Sequence, residues 1–325
     1  MKNPEKIDLS IVLINYNTEH YLLDCIDSIY RETNGISFEV IVTDNNSNTN
    51  IKDTLANRFP KVRYHDMGYN AGFARANNAG TRISKGDYVL LLNDDTLIQD
   101  NAIAKALNHL KKIEKTIDLG FLCIKLMNDD RSLQLSSHQD FISYKEIALP
   151  SVLDIIFNRQ KEKTNDVIKI KRLEEDHEAE WVSGAFLMAN KKRYTEDTLY
   201  LDEDFLIYTE DVEVCKRARA KGLKNIHFSG AAIFHINSAS YSVERKSAQL
   251  TISQWLYILK TKGYFTYTKL ILNNYSSIFV QNLYYLKNKI QGKISQVDIE
   301  SKKQRKEIKK LLNRYAFKIL FEFKR

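Results

Sequence analysis

Along the first 125 residues, short continuous apolar runs alternate with longer stretches in which apolar residues recur at helical spacing. Residues 9–14 (LSIVLI), 39–43 (EVIVT) and Tyr88–Leu92 (YVLLL) are continuous β-rich runs, and 61–65 is a weaker one. The intervening 19–30, 51–59 and 71–83 carry apolar residues on one helical face. Buried strands alternating with helices predict a parallel sheet covered on both faces. In such a sheet ligands bind beyond the carboxyl ends of the strands, so the residues following each strand are the ones to read for chemistry.

Those residues are polar at every strand end. The first strand runs into Asn15, Tyr16 and Asn17, the second into Asp44, Asn45, Asn46 and Ser47, and the fourth into Asn93, Asp94, Asp95 and Thr96. After the third, the segment 68–75 (GYNAGFAR) sets Asn70, Gly72 and Arg75 on a glycine turn that opens a helix. Two carboxylates beside an Asn make a hard oxygen site suited to Mg²⁺ or Mn²⁺ holding a diphosphate. The same Asn-Asp-Asp also makes an ordinary turn that caps a helix starting near Asp100. Asp44 can accept a hydrogen bond from a ribose hydroxyl or a base N–H, or close an Asx turn. The 68–75 turn has neither the GxGxxG nor the P-loop spacing, so the NAD and P-loop readings lack their fingerprint. Its helix N-terminus still suits a phosphate, with Arg75 facing it one turn in.

Beyond residue 128 the pattern weakens, and 161–180 is rich in charge, as expected of a variable lid or loop region. Order returns with a strand-like run over 181–189 (WVSGAFLMA), a helix over 209–221 that stops at Gly222, and a last strand over 225–235. Glu210 and Asp211 fall in the first turn of that helix, where acids complement the dipole and Thr209 is a candidate N-cap. A carboxylate held there also fits a general base for a hydroxyl. His235 closes the last strand, as a structural residue or as a nitrogen ligand to a metal. From Tyr241 onward there is no proline and there are two glycines, Gly263 and Gly292, and helices are expected over 242–260, 267–290 and 297–323.

Charge divides the chain. Residues 241–325 hold 18 Lys/Arg against 5 Asp/Glu, a balance of +13, which leaves 31 against 36, or −5, for residues 1–240. A mildly acidic body with a basic tail argues against a nucleic-acid-binding protein, as does the lack of a recognised nucleic-acid motif. Lys302, Lys303, Arg305, Lys306, Lys309 and Lys310 can meet anionic headgroups while Leu311, Leu312, Phe317, Ile319, Leu320 and Phe323 dip into a membrane. The other reading of the tail is a helical bundle packed on the catalytic domain or on a homodimer partner. Apolar residues make up 43% of the chain, enough for a packed core. The three cysteines, Cys25, Cys123 and Cys215, are scattered and not at metal-ligand spacing, as in a reducing compartment. No signal-peptide pattern and no membrane-spanning apolar run is visible, and the expected location is cytoplasmic, at the inner face of the membrane.

Taken together, the segments IVLINYN (11–17), VTDNNS (42–47), GYNAGFARANN (68–78), LLLNDD (90–95), SGAFLM (183–188), TEDVE (209–213) and FH (234–235) are similar, in order, to the motifs of family 2 glycosyltransferases. The nearest resemblance is to the rhamnosyltransferase-like branch of bacterial polysaccharide synthesis, and it covers residues 7–236. It implies a GT-A fold, an α/β architecture with a Rossmann-like, mostly parallel sheet flanked by helices, over residues 1–240, with a basic helical extension over 241–325. The donor-binding half is expected over about 1–125 and the acceptor-side half over about 126–240. It further implies inverting transfer of a sugar from a nucleotide-sugar donor, dTDP-rhamnose or a UDP-sugar, to a glycan or polyprenyl-linked acceptor. Carried over by motif, Asn15, Tyr16, Asn17, Asp44, Asn46, Asn70, Gly72, Arg75, Asn78, Asn93 and Asp94 contact the donor, and Asp95 and His235 hold the metal. Trp181, Ser183, Gly184 and Ala185 line the acceptor side, and Asp211, with Glu210 beside it, is the catalytic base. A sugar-nucleotide nucleotidyltransferase shares the sheet and the acids, but would carry a Gly-rich basic loop where this chain has Asn15-Tyr16-Asn17.

Overall fold

In the computed structural model, which describes residues 6–151, 154, 166–236 and 243–322, the chain forms two compact units. Residues 1–141 and 165–240 make one, and residues 142–164 and 241–325 the other. The expected boundary at residues 240/241 falls outside the described residues, as do Phe323 and most of the charge-rich stretch before Asp166.

The larger unit is built on a mixed sheet. Strands β1 (Leu9–Asn15), β2 (Phe38–Asp44), β3 (Arg63–Asp66) and β4 (Tyr88–Leu92) pair in parallel in the order β3-β2-β1-β4. Helices α1 (Glu19–Glu32), α2 (Ile51–Arg58) and α3 (Gly72–Ile83) connect them. The short strand β5 (Thr96–Leu97) and helix α4 (Ala102–Ile113) follow, and then β6 (Leu119–Met127), a strand that the sequence reading does not separate from its surroundings. Two-residue strands β7 (Leu133–Gln134) and β8 (Ser137–His138) and the three-residue β9 (His177–Ala179) lie where a loop region is expected. The predicted strand over 181–189 is two strands, β10 (Trp181–Val182) and β11 (Phe186–Asn190), split at Ser183-Gly184-Ala185. The break is enforced by backbone bonds that leave the ladder: Ser183 N–H donates to the Ser136 carbonyl, and Gly184 N–H donates to a side chain. β11 runs antiparallel between β4 and β6, and β12 (Lys224–His235) lies parallel to β6.

Alternating residues of the central strands feed two cores. Leu9, Ile11 and Leu13 pack with Leu22, Ile26 and Ile29 of α1 and Ile103, Leu107 and Leu110 of α4. Val12, Val89 and Leu91 pack with Ala74 of α3 and with Val214, Cys215 and Ala218 of the helix Glu210–Ala220. Burial on both faces is why these strands read as unbroken apolar runs. α3 lies close to the sheet because of Gly80: a Cβ there would stand 2.4 Å from Val12 Cγ1 and 3.3 Å from Thr43 Cγ2.

The smaller unit is helical. The segment Val243–Ile290 is helical throughout except at Gly263, whose φ of 79° lies in the left-handed region, and Gln296–Glu322 forms the last helix. These two run antiparallel: Tyr267 Oη donates to the Ala316 carbonyl, Tyr275 Oη donates to Asn313 Oδ1, and Arg305 reaches Asn282. Leu312, Ala316 and Ile319, at helical spacing, are buried in that contact. Leu312 and Ile319 therefore face protein rather than membrane, correcting the expectation for those two, whereas Phe317 and Phe321 are exposed. Among the described residues no helix is long and apolar enough to cross a membrane.

Gly80→Ala forces the Val12 contact apart, and overpacking of this kind costs about 1–3 kcal/mol. The thermal midpoint of the variant is expected to fall by several degrees, at about 2–4 °C per kcal/mol for a unit of this size. An unchanged midpoint in a calorimetric scan would show that α3 does not depend on this close approach.

Candidate functional site

The carboxyl ends of β1 and β2 form one hydrogen-bonded edge. Asn15, fully buried, donates through Nδ2 to Asp44 Oδ1 at 2.6 Å and to Ser47 Oγ at 2.9 Å. The other Asp44 oxygen accepts from the Ser47 N–H at 3.0 Å. This is an Asx turn, and it holds the carboxylate rigid at the strand end rather than leaving it free. Asn17 has a φ of 59° and accepts from the Asn48 N–H, joining the two loops, while Asn46 (φ 62°) is exposed beside it. Asn45, which the sequence reading left without a role, pins the next loop, accepting from Ala71 N–H and donating to the Gly72 carbonyl. Asn70 accepts from the Gly72 N–H. Gly72 has a φ of 83°, and a Cβ there would lie 2.5 Å from the Leu206 carbonyl oxygen.

Two members of the expected donor set are committed to protein. Asn78 is buried, its amide donating to the Leu201 carbonyl and to Glu203 Oε1 and accepting from the Leu201 N–H. Arg75 pairs with Glu203 at 3.7 Å, and Arg82 joins the same carboxylate at 3.1 Å. They tie α3 to 201–203.

The end of β4 turns sharply into β5, which pairs with β12 so that Thr96 lies opposite His235. That register brings His235 Nε2 within 3.4 Å of Asp95 Oδ1 and 3.3 Å of Asn93 Nδ2. The other ring nitrogen, Nδ1, lies 2.8 Å from Gln134 Oε1, an acceptor, so Nδ1 donates to it and Nε2 is the nitrogen turned toward Asn93 and Asp95. Gln134 also donates to the His235 carbonyl at 2.6 Å, so one side chain fixes both the ring and the backbone of the histidine. Asn93 Oδ1 is buried with no hydrogen-bond partner among the described residues. A carboxylate, an imidazole nitrogen and an orphaned amide oxygen at one strand end are a donor set that a divalent cation fits. Among the described residues, however, no group of three or more His, Cys, Asp or Glu forms a closed metal cage. Asp94 points elsewhere, accepting from Thr18 Oγ1, and burial, with the Asp95 charge beside it, pushes its carboxyl up to about 7.

The acceptor-side residues meet this edge through the backbone. Asn93 N–H donates to the Ala185 carbonyl at 3.1 Å, and the adjoining Gly184 N–H donates to Asp211 Oδ2 at 2.9 Å. The other Asp211 oxygen accepts from the Val212 N–H. Trp181 stacks flat on His138, the centroids 3.7 Å apart, and its indole N–H donates to the Asp140 carbonyl. Thr209 does not act as a side-chain cap: its φ is 72°, that of Tyr208 is 70°, and its buried Oγ1 has no partner. Two successive non-glycine residues in the left-handed region store strain at a place where the chain must turn Glu210 and Asp211 into position.

Sequence reasoning missed Gln134, His138, Asn45 and Glu203. None has a local signal, because each acts on a residue distant in sequence, Gln134 on His235 and Glu203 on Arg75, Asn78 and Arg82.

Burial raises both acids of the Glu210–Asp211 pair. Asp211 is favoured as the ionised member, since two backbone N–H groups hold its oxygens, whereas Glu210 Oε2 has no partner and feels the Asp211 charge. A carboxyl whose folded-state pKa is raised stabilises the fold below its ordinary value and loses that contribution as pH rises toward the folded value. Glu210→Gln is thus expected to raise the thermal midpoint near pH 7 and to leave it nearly unchanged at about pH 4, below the ordinary Glu pKa. A shift of the same size at both pH values would exclude ionisation as its cause.

The sequence profile of Glycosyl transferase family 2 matches residues 10–148. Glycosyltransferase GlyG of Streptococcus pneumoniae is 26% identical over 212 residues, spanning 59% of this chain and 69% of that protein. The low-salt glycan biosynthesis hexosyltransferase Agl10 of Haloferax volcanii is 26% identical over 221 residues, spanning 66% of this chain and 63% of that protein. In three dimensions, residues 1–349 of TarS from S. aureus, solved with UDP-GlcNAc, align over 78% of this chain and 67% of that one, with a TM-score of 0.51 and 15% identity. That likeness establishes the shared GT-A type of fold. Profile match and relatives together show a glycosyltransferase, similar to Glycosyl transferase family 2 over residues 10–148.

Proposed function

We propose that the enzyme moves a sugar from a nucleoside-diphosphate donor to a hydroxyl of a glycan or lipid-linked acceptor in glycan synthesis, with inversion at the anomeric carbon. The observation that carries this reading is the Ser183–Ala185 turn, where two adjacent backbone groups join the Asp211 carboxylate to the Asn93 strand end. A base and a leaving-group site must lie on opposite sides of one reacting carbon, and a turn shared by both keeps their separation constant.

On the donor side, the Asn15–Asp44–Ser47 network supports recognition of the nucleoside, with Asp44 as the acceptor and Tyr16, Asn17, Asn46, Asn70 and Gly72 around it. The UDP-GlcNAc held by TarS favours a UDP-sugar over dTDP-rhamnose. Arg75 and Asn78 act by holding Glu203 and Leu201. Asp95, His235 and Asn93 Oδ1 would hold Mg²⁺ or Mn²⁺, with Asp94 beside them; the ion, when bound, supplies positive charge next to the departing diphosphate. On the acceptor side, Trp181 with Ser183, Gly184 and Ala185 orients the hydroxyl. Asp211 takes its proton, the hydroxyl oxygen bonds to the anomeric carbon, and the bond from that carbon to the diphosphate breaks on the opposite face. Burial, which raises the Asp211 carboxyl, makes it a stronger base than an exposed aspartate, and the Gly184 and Val212 N–H groups keep it ionised and aimed. The basic C-terminal helices are proposed to meet an anionic membrane surface at its cytoplasmic face.

Nucleoside-diphosphate release from a panel of UDP- and dTDP-sugars, with Mn²⁺ or Mg²⁺ and with EDTA, tests the reading. Release is expected with metal and is lost in EDTA; undiminished release in EDTA would remove the metal from the reaction. Asp211→Asn is expected to slow transfer about 10²–10⁴-fold with donor binding retained, and near-normal turnover would remove Asp211 as the base. Gln134→Ala frees the His235 ring to change tautomer, and Mn²⁺ binding read by electron paramagnetic resonance is expected to weaken about 10–100-fold. An unchanged Mn²⁺ titration would detach His235 from the cation.

A further inference from the structure

In the helical unit, a groove of about 380 Å³ opens between the end of Val243–Ile290 and the first half of Gln296–Glu322. Lys289, Lys302, Arg305, Lys306 and Lys309 line it, and no carboxylate does. Arg305 is the unusual member. Its side chain is buried, with 7% of the residue's surface exposed, and its donors meet only neutral oxygens: Nε donates to Asn282 Oδ1 at 3.2 Å and Nη1 to Gln281 Oε1 at 3.4 Å. Among the described residues no carboxylate lies within 4.0 Å of it. Burial holds its pKa below that of an ordinary arginine, the reverse of what a salt bridge does.

The nearby acids are spent elsewhere. Asp298 accepts from the Ser295 N–H and hydroxyl, Glu300 accepts from Gln296, and Glu307 pairs with Lys310. Lys302 leans over the Tyr285 ring, its Nζ 4.3 Å from the centroid, which sets the ammonium at the groove instead of letting it swing free. Asp298 acts on Arg305 only from beyond ion-pair distance, and a buried guanidinium so weakly compensated, with four further cations lining the same groove, is costly to the fold. An anion with several oxygens relieves it, since guanidinium and ammonium donors match phosphate oxygens.

An apolar stripe runs along the same helix. Phe279, Leu283, Leu286 and Ile290 recur at helical spacing and are 65%, 51%, 52% and 79% exposed, and Leu286 also lines the groove. A cation-lined groove continuous with an exposed apolar stripe fits a phosphate whose other end is hydrocarbon.

We propose that this groove is a binding site for the phosphate head group of a lipid, with Arg305, Lys302 and Lys306 as the phosphate contacts and the Leu283–Leu286–Ile290 stripe against the lipid chain. The source of the phosphate rests on the membrane reading given above; the anion chemistry of the groove does not. Arg305 is expected to approach from the buried side and the lysines from the open side.

Two measurements on the full chain separate these layers. Calorimetric titration with pyrophosphate in metal-free buffer is expected to show binding that the paired variant Lys302→Gln/Lys306→Gln weakens at least about tenfold, as for loss of charge-assisted hydrogen bonds. Lys262→Gln/Lys318→Gln, which removes the same charge from exposed positions outside the groove, is expected to leave it unchanged. Flotation with vesicles of phosphatidylcholine, alone or mixed with phosphatidic acid, is expected to show capture only by the mixture and loss of capture in the groove variant. Absence of pyrophosphate binding, or equal weakening in both paired variants, overturns the site. Pyrophosphate binding that depends on the groove without capture by the mixed vesicles overturns the lipid source and the membrane reading together. Capture by the mixture that survives in the groove variant keeps the membrane reading and overturns the groove's part in it.

Discussion

The site depends on the antiparallel pairing of β11 with β4, which sets Phe186 opposite Leu92. A parallel neighbour would bring another strand's carboxyl end to this edge. An antiparallel one brings an amino end, so the turn that enters β11 stands directly beside the residues that leave β4. Asn93 and Ala185 are joined there by a backbone bond, Gly184 reaches Asp211, and β5 carries Asp95 against His235. Residues from 93 to 235 thus converge through main-chain contacts that no single side chain supplies, and the larger unit's three layers serve to hold that register.

Holding it has a cost that is visible in the structure. Glu210 and Asp211 are buried side by side, Asp94 is raised by burial, Asn93 Oδ1 and Thr209 Oγ1 are unpartnered, and Tyr208 and Thr209 occupy left-handed backbone. Each of these opposes folding, and they cluster at one edge of the sheet. At the opposite edge Ser10, Arg63 and the Lys85 N–H all bond to Glu39, although the buried Thr33 and Thr81 hydroxyls at the ends of α1 and α3 are also unpartnered. Two acids buried side by side and left-handed backbone at Tyr208 and Thr209 mark this edge as the part of the fold shaped for chemistry rather than for stability. In the helical unit, Lys289, Lys302, Arg305, Lys306 and Lys309 gather on a single groove, while Lys310 and Lys318 pair with acids one turn away on the same helix.

The sequence by itself determined the parallel half of the sheet, because strands buried on both faces must be continuous apolar runs, and it determined the polar strand ends, because nothing apolar can sit at a ligand edge. Asn15, Asp44, Asp95 and His235 stand out as candidates on that basis, and Asp211 as an acid in the first turn of a helix. Only the tertiary structure decided what depends on distant partners. β6 is nine residues of apolar chain that local pattern cannot assign to strand or helix, and its pairing with β11 and β12 settles it. The run 181–189 looks like one strand until Ser136 and Asp211 draw its middle out of the ladder. Arg75 and Asn78 belong to Glu203 and Leu201, more than a hundred residues away, and Arg305 is a buried cation because the helix carrying Asn282 covers it. Hydrophobic periodicity records which side of an element faces the core; it carries no record of which two elements meet, and the site is made of those meetings.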